Sequence, residues 1–531
     1  MKFGFFDWLI LGVYFLLLFM IGAYYSRKQK NTTQYFLAGR KSRWYAIGAS
    51  IFAANISSEH LIGLAGSGAA AGLAVGAYEW MAVFCLFSLI WIFLPNYLKS
   101  KVFTMPEFLE KRYNPQSRWY LTSISILAYI FTKISVALFA GAILLKYLLG
   151  LDTLTSALIL VTVTGIYTIA GGLAAVIFAD VIQAIILISG SLILTLTGLS
   201  RVGGFAGLRE SLPPGFFDMV HPASHPVYPW PGVFFGILIL GIWYWSTDQY
   251  IVQKALSARN LDHARAGANL TALLKILPVF IFVLPGLIGR ALWPDELANN
   301  PDMAYPIVIS RLLPAGLSGL VVAALLAALV SSLSAVFNSC SSLFTMDIYR
   351  KINPGAGERQ LVFTGRIFTG IIVMIGILWI PFIRHMSDQI YQYLQAVQSY
   401  IGPPITAVFL LGIFWKRATG KAAFITLITG GLIGAARFVL DILSKNHDLG
   451  FVTPAVTMSF LNFSIIIFLV CVLLMVVIST LTQLPDREKT EDIVIDFSRI
   501  RQTHYTRWTY INIAFSVLVG LIVVSLWSYF S

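Results

Sequence analysis

The sequence predicts an all-α membrane protein of fourteen spanning helices, ten of them forming two five-helix repeats of inverted topology. Three observations predict it. Of 531 residues, 58% are hydrophobic and only 11% are charged, whereas soluble globular chains are about 45–50% apolar and about 25% charged. So few charges cannot cover a water-facing surface, which excludes a soluble enzyme, a disordered chain and a fibrous protein. The apolar runs are continuous and about 20 residues long, enough to cross a hydrocarbon core as helices, whereas barrel strands need about ten alternating residues. Finally, two spans lying five apart in the order are interrupted by polar residues at matching places, as expected of two halves related by a pseudo-two-fold axis in the membrane plane.

The elements follow in order. Span 6–26 begins within Met1–Trp8, where only Lys2 precedes the apolar run. Without a basic stretch or an A-x-A-like cleavage site, it reads as a spanning helix and not a removed leader. Spans 46–72, 77–97, 119–148, 153–171 and 178–200 form the first repeat, 46–200. Segment 201–230 carries Pro213, Pro214, Pro222, Pro226 and Pro229 and reads as an ordered external cap. Spans 231–255, 269–291, 307–346, 362–383 and 387–415 form the second repeat, 231–415. Spans 421–441, 452–482 and 508–530 complete the region 421–530, with the charged stretch 483–507 as a cytoplasmic linker. The whole of 1–531 reads as a single transmembrane domain. Hydropathy alone leaves runs 46–97 and 307–346 open to other divisions.

Charge fixes the direction. With the loop after the first span taken as cytoplasmic, twenty-six of the 37 Lys and Arg residues fall on the cytoplasmic side and eight outside. Lys133, Lys275 and Arg311 lie inside spans. Basic residues accumulate in cytoplasmic loops, so both termini are predicted outside. The net charge of +13 is therefore a topology signal, and no basic stretch carries the interleaved aromatics of a nucleic-acid surface. Cys85, Cys340 and Cys471 all lie in apolar runs, where free cysteine acts as a small hydrophobe. The expected setting is a plasma or bacterial inner membrane, with the lipid bilayer as a partner and no obligate protein partner.

Three spans look interrupted. The first contains Ala53-Ala54-Asn55-Ile56-Ser57-Ser58-Glu59-His60, the second Trp243-Tyr244-Trp245-Ser246-Thr247-Asp248-Gln249, and the third Gly402-Pro403-Pro404. In lipid every backbone polar group must be satisfied internally, so an interruption needs a reason. Proline removes a donor and predicts a kink in the third. Gly66-Ser67-Gly68 followed by Gly72 lacks nucleotide-loop spacing and fits close helix contact better. Asn31-Thr32-Thr33 matches a glycosylation acceptor but falls on the predicted cytoplasmic side. Neither H-E-x-x-H nor a nucleophile motif is present, so no enzyme is expected.

Segment 46–84, AIGASIFAANISSEHLIGLAGSGAAAGLAVGAYEWMAVF, strongly resembles the sodium/glucose cotransporters of the sodium–solute symporter family. So do TMPEFLEKRY (104–113), GGLAAVIFADVIQ (171–183), LWPD (292–295), AALVSSLSAVFNSCSSLFTMDIYR (327–350) and YIGPPITAVFLLGIFWKR (400–417). The resemblance runs over nearly the whole chain. It implies the LeuT-type fold and co-transport of Na⁺, with no organic cofactor. The family's substrates range over sugars, inositol, proline, pantothenate, monocarboxylates and anions.

Carried over by motif, the resemblance implies a sodium site made by the carbonyls of Ala53, Ile56 and Ala328 and the hydroxyls of Ser331 and Ser332. A hard cation wants several oxygen ligands, and unwound backbone can supply them in mid-membrane. The two hydroxyls could instead bond their own helix. Ser334, one turn past Ser331, could form a second sodium site with Asp180. Equally, Asp180 could sit at a helix start favoured by the macrodipole, and Ser334 could simply allow close packing.

The resemblance further implies a sugar site of Asn55, His60, Glu79, Tyr244, Trp245, Lys275 and Gln395. Sugar hydroxyls both donate and accept, so amides, a carboxylate, a cation and an aromatic face suit them. Glu79 and Lys275 are also rare intramembrane charges, which usually face a cavity and pair; a purely structural ion pair is the bland alternative. Tyr244 is expected to close the inner side, and Leu64, Tyr78 and Tyr391 the outer side. Three positions depart from the family pattern. Gly241 stands where sugar transporters carry Asn or Thr, Ala82 where some relatives carry Ser or Asn, and Ala179 where Thr is usual. The expectation is therefore a sodium-coupled importer of a glucose- or galactose-like hexose by alternating access. A myo-inositol or polyol symporter is the alternative, and an intramembrane enzyme or an intramembrane sodium channel or sensor are the alternatives of a different class.

Overall fold

The computed structural model describes every residue except 1–3, 58, 315, 384–389, 445–449, 451–452, 492, 496–505 and 531. Part of the linker 483–507 and the start of span 387–415 thus lie outside the described residues. Among the described residues the secondary structure is helical, with no strand and two isolated bridges, Ser42 with Ala258 and His221 with Pro229. Among the described residues, eleven helical runs are long and apolar enough to cross a membrane.

Two of these runs each hold more than one expected segment. Glu59–Ser100 passes through Gly72 at φ 79°, ψ −155°, and Thr153–Arg201 passes through Gly172 at φ 58°, ψ −161°. The second bend falls between spans 153–171 and 178–200. Its conformation is left-handed, and a Cβ on Gly172 would stand 2.7 Å from the Tyr35 carbonyl oxygen. Glycine alone meets both conditions. At the centre, Leu317–Leu343 is buried along nearly its whole length and packs against Thr153–Arg201. Phe5–Ser26 buries Leu11, Tyr14 and Leu18 and leaves Phe5, Phe6, Trp8 and Leu16 exposed, an apolar outer face suited to lipid.

Two of the three expected interruptions are real. Helix Trp44–Asn55 stops at Ile56 (φ −75°, ψ 116°) and helix resumes at Glu59. The second, starting at Gly232, stops after Thr247 at Asp248 (φ −78°, ψ 126°) and resumes over Gln249–Leu256. The two breakpoints share one extended conformation. The third expectation is corrected: Ile390–Phe414 is one helix with Pro403 and Pro404 inside it. Neighbouring glycines make the room, since a Cβ on Gly430 would meet the Pro404 ring at 2.5 Å and one on Gly434 the Tyr400 carbonyl at 2.3 Å. Neighbouring helices are what make intramembrane proline tolerable.

Three of the twenty-six basic residues assigned to the cytoplasmic side, Lys254, Arg112 and Arg118, are buried within the protein. Arg112 donates to the carbonyls of Gly412 (2.7 Å), Trp415 (2.9 Å) and Ala418 (3.0 Å), closing the end of helix Ile390–Phe414. Arg118 donates to Asp347 at 2.7 Å, as does the Thr104 hydroxyl at 2.8 Å. The TMPEFLEKRY and FTMDIY blocks therefore brace each other. Burial would raise the Glu110 carboxyl, but hydrogen bonds from Lys351 and Arg118, with their charges, hold it below its usual range.

At another part of the bundle the 201–230 segment is tied down. The Leu73 amide donates to the Phe216 carbonyl (2.7 Å) and the Met219 amide to the Phe530 carbonyl (2.9 Å). Asp7 near the N-terminus accepts from the amides of Gly316 (2.8 Å) and Gly319 (2.6 Å).

The bend at Gly172 has a measurable consequence. Gly172→Ala is expected to destabilise the protein by about 1–3 kcal/mol, the usual cost of a strained backbone residue, read as a lower thermal midpoint in detergent. Gly150→Ala, at φ 72° but in open space, should cost less.

Candidate functional site

The two breaks face a common cavity, whose lining includes Asn55, His60, Glu79, Tyr244, Trp245, Lys275 and Gln395, together with Tyr78 and Tyr391. All seven expected sugar-site residues are thus brought together. It is narrow, with about 60 Å³ of room for the centre of a water molecule; one buried water needs about 10–15 Å³ by that measure. Leu64 is buried one residue past Gly63, whose Cβ would meet Tyr391 at 2.7 Å.

The polar network starts at Lys275. Its ammonium pairs with the Glu79 carboxylate and donates to Asn55 Oδ1 at 2.7 Å. Asn55 Nδ2 donates to the Tyr244 hydroxyl at 2.8 Å, which in turn contacts the Tyr250 hydroxyl. His60 Nε2 lies 3.4 Å from Glu79. One chain of partners therefore runs from Glu79 through both broken helices. Tyr78 and Tyr391 meet edge to face at 5.7 Å, with His60 at 6.4 Å from Tyr391.

The sequence reading missed a second intramembrane pair in this wall. Lys133 Nζ lies 3.2 Å from Glu59 and 4.9 Å above the Tyr244 ring. Both residues line the cavity, as do Gln398 and Cys85. The signal was available, because Lys133 was one of three basic residues inside spans and such a charge needs a partner. What periodicity could not show is that His60, Lys133 and Tyr244 all sit on π-helical turns, which re-aim side chains out of the α-helical register.

Gly241 also has a steric explanation. A Cβ there would stand 2.3 Å from Cys85 Sγ. The thiol already occupies the room that an Asn or Thr side chain would take.

Ala53, Ile56, Ala328, Ser331 and Ser332 are all buried, and Leu317–Leu343 packs against Trp44–Asn55. The Phe52 carbonyl keeps the Ile56 amide (3.1 Å), while the Ser57 amide turns to His60 Nδ1 (3.5 Å) and away from Ala53. Unwound carbonyls of this kind suit a hard monovalent cation. Ser332 makes a long 3.4 Å bond to the Leu329 carbonyl. Asp180 contacts Ser331, Ser50 and Lys254, and Ser334 donates to the Ser331 carbonyl at 2.8 Å.

A family model described as the sodium:solute symporter family matches residues 35–430. Sodium/myo-inositol cotransporter 2 of Oryctolagus cuniculus is 42% identical, over 91% of this chain and 77% of that protein. Sodium/glucose cotransporter 1 of the same organism is 40% identical, over 90% and 79%. Sodium/glucose cotransporter 4 of Mus musculus is 41% identical, over 91% and 76%. Among solved structures, a substrate-bound, outward-open Na⁺-coupled sialic acid symporter matches with a TM-score of 0.78 at 22% identity, over 92% of this chain and 100% of that one. Mhp1, a nucleobase-cation-symport-1 family transporter, gives 0.56 at 14% identity, over 87% and 99%. The fold is shared with both.

Two expectations follow from the geometry. Lys275→Ala strands the Glu79 carboxylate and should cost about 3–5 kcal/mol, as for other broken buried pairs. Glu79→Gln with Lys275→Met should recover most of that loss in thermal unfolding. Gly241→Thr should lower the thermal midpoint through its clash with Cys85, and Cys85→Gly should restore it.

Proposed function

Since the chain belongs to the sodium:solute symporter family, we propose that it imports a glucose- or galactose-like hexose together with Na⁺ by alternating access. It is a sodium-coupled symporter with Na⁺ as the co-transported ion; the hexose is the finer reading. The observation that carries it is the Asn55, Glu79 and Lys275 cluster between two broken helices. There a carboxylate, an ammonium and an amide stand within reach of one small polar ring, beside the Tyr244 face. Lys275 and Asn55 Nδ2 offer donors, and Glu79, Asn55 Oδ1 and Gln395 offer acceptors. Each can exchange its present partner for a sugar hydroxyl at little net loss, because buried polar groups must stay bonded.

In this reading Ala53, Ile56, Ala328, Ser331 and Ser332 hold external Na⁺. The ion joins the first broken helix to Leu317–Leu343 and aligns Asn55. The sugar then stacks on Tyr244 and touches His60 and Trp245. Tyr78, Leu64 and Tyr391 close the outer side, and Tyr244 the inner. Rocking of the two halves separates Ser331 and Ser332 from the break, and Na⁺ leaves first. Coupling requires only that sodium bind one state better than the other. The solute passes unmodified, so no catalytic residue is assigned.

The finer topology belongs to this proposal too. Dividing the long runs at Gly72 and Gly172, and counting the second broken helix, turns eleven runs into fourteen spans. Five from each repeat then form the core, and the matching backbone at Ile56 and Asp248 supports their two-fold relation. Both termini lie outside, in a plasma or bacterial inner membrane. A myo-inositol or polyol substrate is the second reading. Gly241 favours it, since Cys85 takes the place of an amide or hydroxyl there and the solute can lack one matching group.

Purified protein in liposomes should accumulate labelled glucose or galactose under an inward Na⁺ gradient and not under K⁺. Gln395→Ala should lower the apparent sugar affinity, and Ser332→Ala should raise the Na⁺ concentration for half-maximal uptake, each by about ten-fold, the loss of roughly 1.4 kcal/mol. Accumulation of myo-inositol alone moves the reading to the polyol. Sodium current without solute accumulation rejects symport.

A further inference from the structure

Resting on the sodium site proposed above, we infer that Asp180 is a positioning residue for the first sodium ion and not a ligand of a second one. Its carboxylate is fully buried and fully engaged. Oδ1 accepts from the Ser331 hydroxyl at 2.5 Å. Oδ2 accepts from Lys254 Nζ at 2.7 Å and from the Ser50 hydroxyl. Lys254 is itself fully buried and donates to Ser50 at 2.7 Å. Four elements meet here: the first broken helix through Ser50, the second through Lys254, Thr153–Arg201 through Asp180, and Leu317–Leu343 through Ser331.

Hydroxyl chemistry decides what this does. Serine has one proton to donate and two lone pairs to offer. With the proton fixed on Asp180, the Ser331 lone pairs face away from the carboxylate and are left for a cation. A Ser331 hydroxyl without that acceptor would bond a carbonyl of its own helix, as Ser334 does at 2.8 Å, and turn its oxygen with it. Meanwhile Lys254 cancels the Asp180 charge. A Na⁺ ion on Asp180 would have to displace that ammonium or sit beside it in a low dielectric, where like charges repel strongly. The ammonium thus keeps the carboxylate from trapping the ion that Ser331 is to release, and the carboxylate keeps the ammonium from repelling it.

The test uses ²²Na⁺ binding to purified full-length protein without solute, which counts ions and reads Kd together. The variants are Asp180→Asn with Lys254→Met, which removes the pair without stranding a charge, then Ser331→Ala, then all three. The pair variant should bind as many ions per chain as wild type with Kd raised about ten-fold or more, the usual cost of losing a partner that orients a metal ligand. On the Ser331→Ala background the same pair should add no more than about two-fold, because groups acting through one another are not additive. Lys254→Arg should keep the wild-type Kd. If the pair variant does not fold, Asp180→Glu, which keeps the charge but moves the acceptor, should give the same reading. One ion fewer per chain, or effects that multiply, overturns the proposal. No ²²Na⁺ binding to wild type at all rejects the sodium site itself, a distinguishable result.

Discussion

A charge inside a lipid-embedded bundle must find a partner, and much of the interior of this protein is organised by that requirement. Lys275 stands on Glu79, Lys133 on Glu59, Lys254 on Asp180 and Arg118 on Asp347. Each pair joins separate elements. Two of them include a residue of a broken helix, and a third, through Asp347, a residue of the run that continues the central helix to Ile352. Pairs of this kind give little net stability, because desolvation offsets the attraction. Two of them, Lys275 with Glu79 and Lys133 with Glu59, place polar groups on the wall of the cavity.

The breaks are local. At Ile56 and Asp248 the chain is extended for a residue or two, so amides and carbonyls that would bond within a helix are free to turn. Neither break is large. The central helix Leu317–Leu343 beside the first break stays regular, and the long proline-containing helix stays unbroken because glycines across from it give way. The two breaks thus lie beside the segments that carry Asn55, His60 and Tyr244. Arg112 and the Thr104, Arg118 and Asp347 cluster brace the bundle, so the TMPEFLEKRY and FTMDIY motifs do not line the cavity whereas segment 46–84 does.

Much of this was legible in the chain. The two interrupted spans and the Glu79 and Lys275 charges follow from the rule that an apolar span tolerates a polar residue only for a reason. The residues expected at a sugar site came from resemblance, and the cavity gathers them. What was not legible has physical causes. Proline at 403 and 404 signals a break only if no neighbour makes room, and Gly430 and Gly434 are distant in sequence. Lys254 reads as a loop charge because it ends a span, and only the fold brings Asp180 to it. The π-helical turns shift side chains by a fraction of a turn and leave no trace in periodicity. Glu59 and Lys133 were both visible as charges, but nothing in their spacing announced them as partners.

The fit of Cys85 against Gly241 bears on how such a protein changes over generations. At one wall of the cavity two positions from different helices share a single volume. A larger residue at 241 arriving first meets sulfur at 2.3 Å and is purged before any new solute can favour it. A smaller residue at 85 arriving first leaves a small void, a milder defect. The accessible route therefore runs in one order, through a slightly loosened intermediate, and the present pair is a ratchet tooth: easily left from one side and closed from the other.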